Sequence, residues 1–151
     1  MSVQYLEDYA VGQTYLSGRH RIDKEQIVTF AKQFDPQFYH LDEEAAKQSP
    51  FRGLAASGWH TAAITMRLLV EGEFRPAGGI LGVGVDQMNW LRPVRPGDEL
   101  HATSEVLEVR PSKSKPDRGT IRVKNTTFNQ NDEVVQMFLA NLLVPRRSPA
   151  A

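Results

Sequence analysis

Between Ser57 and Gly72 the apolar residues Trp59, Ala62, Ala63, Ile64, Met66, Leu68, Leu69 and Val70 leave little polar face, which predicts a helix that belongs in a core. Ser57 is placed to cap its amino terminus and Gly72 to stop it about four turns later. Upstream, Ile27, Phe30, Ala31 and Phe34 share one helical face, with Asp23 as cap and Gln26 completing a capping box. Pro36 disfavours the α region at Asp35, so this helix ends near Phe34. Asp42 predicts a second short helix, with Glu43 and Glu44 in the first turn, where the helix dipole favours acids.

After Gly72 the period changes from helix to strand. Residues 79–90, 100–109, 120–128 and 133–144 read as strands. Val134, Gln136, Phe138, Ala140, Leu142 and Val144 alternate on one face, and the four-residue break before this last strand predicts a hairpin. Thr14 to Leu16, between the breakers Gly12 and Gly18, read as an opening strand. One strand, two short helices, an apolar helix and four long strands make an α+β arrangement, an antiparallel sheet wrapped around a central helix. Residues 1–145 then form one domain and residues 146–151 a disordered tail.

Composition narrows the function classes. A chain of 151 residues suffices for one core without disulfides. Eighteen basic and eighteen acidic side chains cancel, so neither nucleic acid nor an anionic membrane is an expected partner. The lack of cysteine removes thiolate nucleophiles and cysteine-ligated zinc. Glu7 and Asp8 interrupt the first ten residues, and no run of eighteen apolar residues follows; neither a signal peptide nor a membrane span is expected, and the expected location is the cytoplasm.

Two segments can carry chemistry. Asp35-Pro36-Gln37-Phe38-Tyr39-His40 sets a carboxylate and an imidazole five residues apart across a proline break. Both side chains can turn to one site and move protons on and off a bound water. The alternative is that Asp35 only ends a helix and His40 is structural. The second segment, residues 51–61, runs into the apolar helix, where the Gly58 amide can face a developing oxyanion; alternatively, Ser57 merely caps and Gly58 merely avoids a clash.

The run from Phe34 to Asp42, followed by Phe51-Arg52-Gly53-Leu54-Ala55-Ala56-Ser57-Gly58, resembles the signature of the MaoC-like dehydratase family, which includes the R-specific enoyl-CoA hydratases. Residues 91–100 are similar to the strand-turn-strand that follows in that family, and the resemblance spans about residues 5–144. It implies a hotdog fold, normally dimeric, and reversible addition of water to a 2-enoyl-CoA, giving a 3-hydroxyacyl-CoA, in fatty acid metabolism. It further implies that Asp35 and His40 hold the water and manage the proton, and that the Gly58 amide binds the thioester oxygen. Neither metal nor separate cofactor is called for, coenzyme A being part of the substrate.

The chain departs from the family pattern at three places. Pro36 follows the aspartate at once and Gln37 takes the amide position; Ser57 stands where many members have histidine; Met66 stands where many have serine. With the bulky Trp59, these changes bear on the acyl pocket. Competing readings are a hotdog acyl-CoA thioesterase, against which the central helix offers only Arg67 and Glu71 as formal charges, and a non-catalytic acyl-CoA-binding protein. Arg92 and Arg95, or Lys113, Lys115 and Arg118, are candidates for the coenzyme's phosphates. His20, His60 and His101 lack ligand spacing; for His60 a partly buried, hydrogen-bonded role is expected.

Overall fold

Five antiparallel strands form one sheet in the order β1-β3-β4-β5-β2. They are β1 (Thr14–Arg21), β2 (Leu81–Trp90), β3 (Glu99–Pro111), β4 (Arg118–Phe128) and β5 (Val134–Pro145). The computed structural model describes residues 2–148. Four helices lie between β1 and β2: α1 (Lys24–Phe34), α2 (Phe38–Leu41), α3 (Glu43–Ala46) and α4 (Gly58–Glu71). This is the α+β hotdog arrangement, with the sheet wrapped around α4.

The helix ends follow from the local chemistry. Asp23 accepts from the Gln26 amide while the Gln26 side chain returns to the Asp23 amide, a complete capping box. Asp42 caps α3 by accepting from Glu44 and Ala45. The one-turn helix α2, which carries His40, was not expected; a four-residue turn has no apolar period to betray it.

Strand alternation sets the core. Phe138, Ala140, Leu142 and Val144 of β5 are buried with Val106 of β3 and Ile121 and Val123 of β4, against Leu6, Tyr9 and Phe74. The alternating face starts one residue off, because the β4–β5 register shifts at Phe128 and Val134, and Val135 is the buried one. Asn129 closes the hairpin by accepting from the amides of Asn131 and Glu133. The opening strand runs through Gly18 instead of stopping there, because a bulge between Leu16 and Arg19 absorbs it.

Helix α4 departs from its reading as apolar on all sides. Ile64, Thr65, Leu68 and Leu69 are buried, and Ile64 and Leu68 pack on Ile27, Leu100 and Val135. Full burial of one such aliphatic side chain stabilises by about 1.5–3 kcal/mol. Trp59, Ala63, Met66 and Val70 instead form an exposed stripe at helical spacing. The edge strand β2 leaves Leu81, Val83 and Val85 exposed as well. No helix among the described residues is long and apolar enough to cross a membrane.

At the carboxy terminus, the Arg146 amide donates to the Asp117 carbonyl, and the Arg147 guanidinium pairs with Asp8 at 2.6 Å. These two residues of the expected tail are therefore tied to the domain; residues 149–151 lie outside the described ones.

A buried polar chain crosses the core under α4. Trp90 Nε1 donates to Gln136 Oε1 at 2.9 Å, and Gln136 Nε2 donates to Thr65 Oγ1 at 3.1 Å. Thr65 donates to its own helix at the Thr61 carbonyl, so Thr127 must be the donor in their 2.7 Å contact. Gln136→Leu breaks this chain in the middle, and we expect a loss of about 1–3 kcal/mol, read as a lowered urea midpoint with unchanged slope.

Candidate active site

The break at Pro36 leaves Asp35 at φ −152°, ψ 68°, outside the helix, and the backbone re-enters a helical turn at Phe38. His40 comes back against Asp35, with Nε2 3.3 Å from Oδ2. The ring is buried, and its Nδ1 lies 2.6 Å from the carbonyl oxygen of Ala55. A carbonyl only accepts, so Nδ1 carries a proton, and Nε2 is the nitrogen left to exchange one at the site.

Asp35 is held by two further donors. The Ser57 hydroxyl donates to Oδ2 at 2.7 Å, and Gln37 Nε2 donates to Oδ1 at 2.6 Å. Gln37 accepts in turn from the Tyr39 hydroxyl. Burial pushes the Asp35 carboxyl up, but the bonds from Ser57 and Gln37 and the nearby His40 outweigh it, and the pKa is lowered from its ordinary value.

Ser57 also caps α4, its oxygen accepting from the Trp59 amide at 3.2 Å. Gly58 is the first residue of that helix, so its own N–H has no acceptor within it. A Cβ at Gly58 would lie 2.5–2.9 Å from three atoms of the Trp90 indole, so only glycine permits this approach. Trp59 meets Trp90 edge to face at 5.1 Å. Asp35, His40, Phe51, Gly58, Trp59 and Trp90 are among the residues lining one cavity of about 500 Å³.

The three residues singled out for chemistry thus line one cavity. His60 does not join them. It faces a separate cavity with His20 and Arg67, stacks on Phe30 at 4.5 Å, and its buried Nδ1 has no hydrogen-bond partner among the described residues, contrary to expectation. Burial, with a smaller contribution from His20, pushes its pKa down to about 4. Of the phosphate candidates, Arg95 turns inward to the carbonyls of Phe51 and Leu54, and Arg118 pairs with Asp117, while Arg92 lines the cavity. Sequence reasoning missed the Ala55 carbonyl and Trp90. A backbone acceptor leaves no mark in a sequence, and Trp90 simply reads as the end of a strand.

The sequence pattern of the family described as MaoC like domain matches residues 8–129. A crystal structure of a MaoC-like dehydratase from Rhodospirillum rubrum superposes with a TM-score of 0.93 at 54% identity, covering 96% of this chain and 99% of that one. The chain is 31% identical over 151 residues to a 3-hydroxybutyryl-CoA dehydratase of Methylorubrum extorquens, covering 99% of this chain and 90% of the relative. It is also similar to the unliganded R-hydratase of Pseudomonas aeruginosa, with a TM-score of 0.75 at 25% identity over 97% of this chain and 91% of that one.

Ser57→Ala removes one of the two neutral donors to Asp35, so the carboxyl pKa rises relative to the parent, as read by carbon-13 titration. A carboxylate lowered in the folded state contributes stability above its unfolded value of about 4 and loses it as pH falls through the folded value. The variant therefore loses part of this acid-side contribution, besides about 1 kcal/mol for the missing cap. An unchanged Asp35 titration would reduce Ser57 to a helix cap.

Proposed function

Since the chain belongs to the MaoC-like domain family, we propose that it is a hydratase or dehydratase of acyl-CoA thioesters, reversibly adding water to a 2-enoyl-CoA to give a 3-hydroxyacyl-CoA. The observation that carries this reading is the contact of Asp35 with His40 in the cavity that Gly58 also lines. A water lying beside the pair and bound by both Asp35 Oδ2 and His40 Nε2 delivers its hydroxyl to C3 of the enoyl group, and its second proton passes to the pair. The pair returns a proton to C2, so the elements of one water are added and the enzyme is regenerated. The Gly58 N–H binds the thioester oxygen while it carries enolate charge. The thioester already activates the double bond, so positioning and oxyanion stabilisation suffice, and coenzyme A enters as part of the substrate.

The thioesterase reading has less support. The formal charges of α4, Arg67 and Glu71, pair with each other at 2.8 Å and are exposed, which leaves no carboxylate of that helix for the cavity. A homodimer accords with the exposed apolar groups on α4 and β2: a second copy paired along β2 would cover an edge that otherwise invites uncontrolled pairing.

The test is the loss of conjugated-thioester absorbance when crotonyl-CoA, then a longer enoyl-CoA, is mixed with the protein. We expect Asp35→Asn and His40→Ala each to lower the rate by about 10²- to 10⁴-fold. Binding of both thioesters without any absorbance change would replace this reading with a non-catalytic acyl-CoA-binding protein.

A further inference from the structure

The acid/base pair depends on a main-chain atom. His40 is oriented by the carbonyl of Ala55, and Ala55 belongs to the turn that joins α3 to α4. Its internal bonds, from the Arg52 amide to the Ser49 carbonyl at 2.9 Å and from the Phe51 amide to Ser49 Oγ at 3.2 Å, lie in its first half. Arg52 sits at φ +58°, in the left-handed region that costs a residue with a side chain about 1–3 kcal/mol. On one side the segment is tied by the Ala55 amide, which donates to the Tyr39 carbonyl at 3.1 Å, and on the other by the Ala56 amide, which donates to the Val94 carbonyl at 2.9 Å.

The next residue, Arg95, grips the turn itself. Nη2 donates to the Phe51 carbonyl and Nη1 to the Leu54 carbonyl at 3.3 Å, so one guanidinium spans the residue of positive φ. The fork passes close over Gly53, where a Cβ would lie 3.2 Å from Nη1. Arg95 is itself anchored. Its amide donates to Asp98 Oδ2 at 2.9 Å, and Asp98 Oδ1 accepts from Gln130 in the β4–β5 hairpin at 3.0 Å. The Gly97 amide donates to the Ile22 carbonyl at the end of β1 at 2.7 Å. Among the described residues no carboxylate pairs with this guanidinium, and the two bonds it makes both go to the turn. A fixed planar fork suits two carbonyls at once, and a lysine ammonium, a point charge on a flexible stem, does not.

We propose that Arg95 is a positioning residue for the acid/base pair: by clamping the Phe51 and Leu54 carbonyls it holds the strained turn that presents the Ala55 carbonyl to Nδ1 of His40. Arg95 touches no reacting atom. It acts on where Nε2 points and on which nitrogen carries the proton. The catalytic consequence rests on the proposed hydratase reading; the geometric one does not, and the experiment separates them.

The first readout is the Nδ1 proton of His40, observed by NMR in protein labelled with nitrogen-15 histidine. The short bond to a buried carbonyl gives the wild type a downfield, slowly exchanging resonance. In Arg95→Met this resonance is lost to exchange, and in Arg95→Lys it is broadened. The second readout is turnover of crotonyl-CoA. Misplacing the imidazole in Arg95→Met lowers kcat by about 10- to 100-fold, with KM changed far less. Val144→Ala, which thins the core around Leu6, Tyr9 and Phe74 away from the cavity and from the anchors of Arg95, serves as the stability control and leaves kcat and the resonance unchanged.

Persistence of the His40 resonance in Arg95→Met overturns the proposal, as does a loss of kcat in Val144→Ala equal to that in the Arg95 variants at matched thermal stability. If the methionine variant does not fold, Arg95→Lys is judged by the same criteria. If the wild type turns over no enoyl-CoA, the hydratase reading fails while the resonance still decides the role of Arg95.

Discussion

Because a peptide carbonyl can only accept a hydrogen bond, the contact between Ala55 and Nδ1 of His40 selects the imidazole tautomer without any charged partner on that side. The charged partner, Asp35, is kept for the other nitrogen. Proton exchange is thereby confined to the edge that faces the cavity. The rest of the local architecture serves this arrangement: the proline break turns Asp35 out of α1, the one-turn helix α2 brings His40 back, and the turn before α4 supplies the acceptor.

Ser57 links the Asp35–His40 contact to the helix behind it. Its oxygen caps α4 while its hydroxyl proton goes to Asp35, so one side chain satisfies both a helix amide and the carboxylate. Withdrawing that hydroxyl would affect both at once. The buried chain from Trp90 through Gln136 to Thr65 and Thr127 similarly ties the cavity wall to the strands beneath. Polar groups so placed are costly unless every one is paired, and here they are paired with one another.

Much of this was legible in the sequence because it is written in period and cap chemistry. The capping box at Asp23 and Gln26, the alternation along β5 and the hairpin at Asn129 are local signals, and the structure follows them. The spacing of Asp35 and His40 across Pro36 suggested a pair, and the family resemblance gave it a chemistry. The rest depends on contacts between segments distant in sequence. Nothing local distinguishes Arg95, gripping the carbonyls of Phe51 and Leu54, from a surface arginine free to meet a phosphate. The stripe from Trp59 to Val70 read as core because composition alone does not tell an apolar face buried within one chain from one left exposed on it.

The approach of Trp90 to Gly58 carries a consequence for how such a sequence can drift. With the indole less than a methyl's breadth from the Gly58 backbone, the residues allowed at position 58 depend on what stands at position 90. A lineage that replaced the tryptophan with a small residue would gain room for alanine at 58. One that kept it would be confined to glycine, even where the amide had no further use. In a set of related chains, the two positions should therefore vary together, and a non-glycine at 58 should be accompanied by the absence of a large ring at 90.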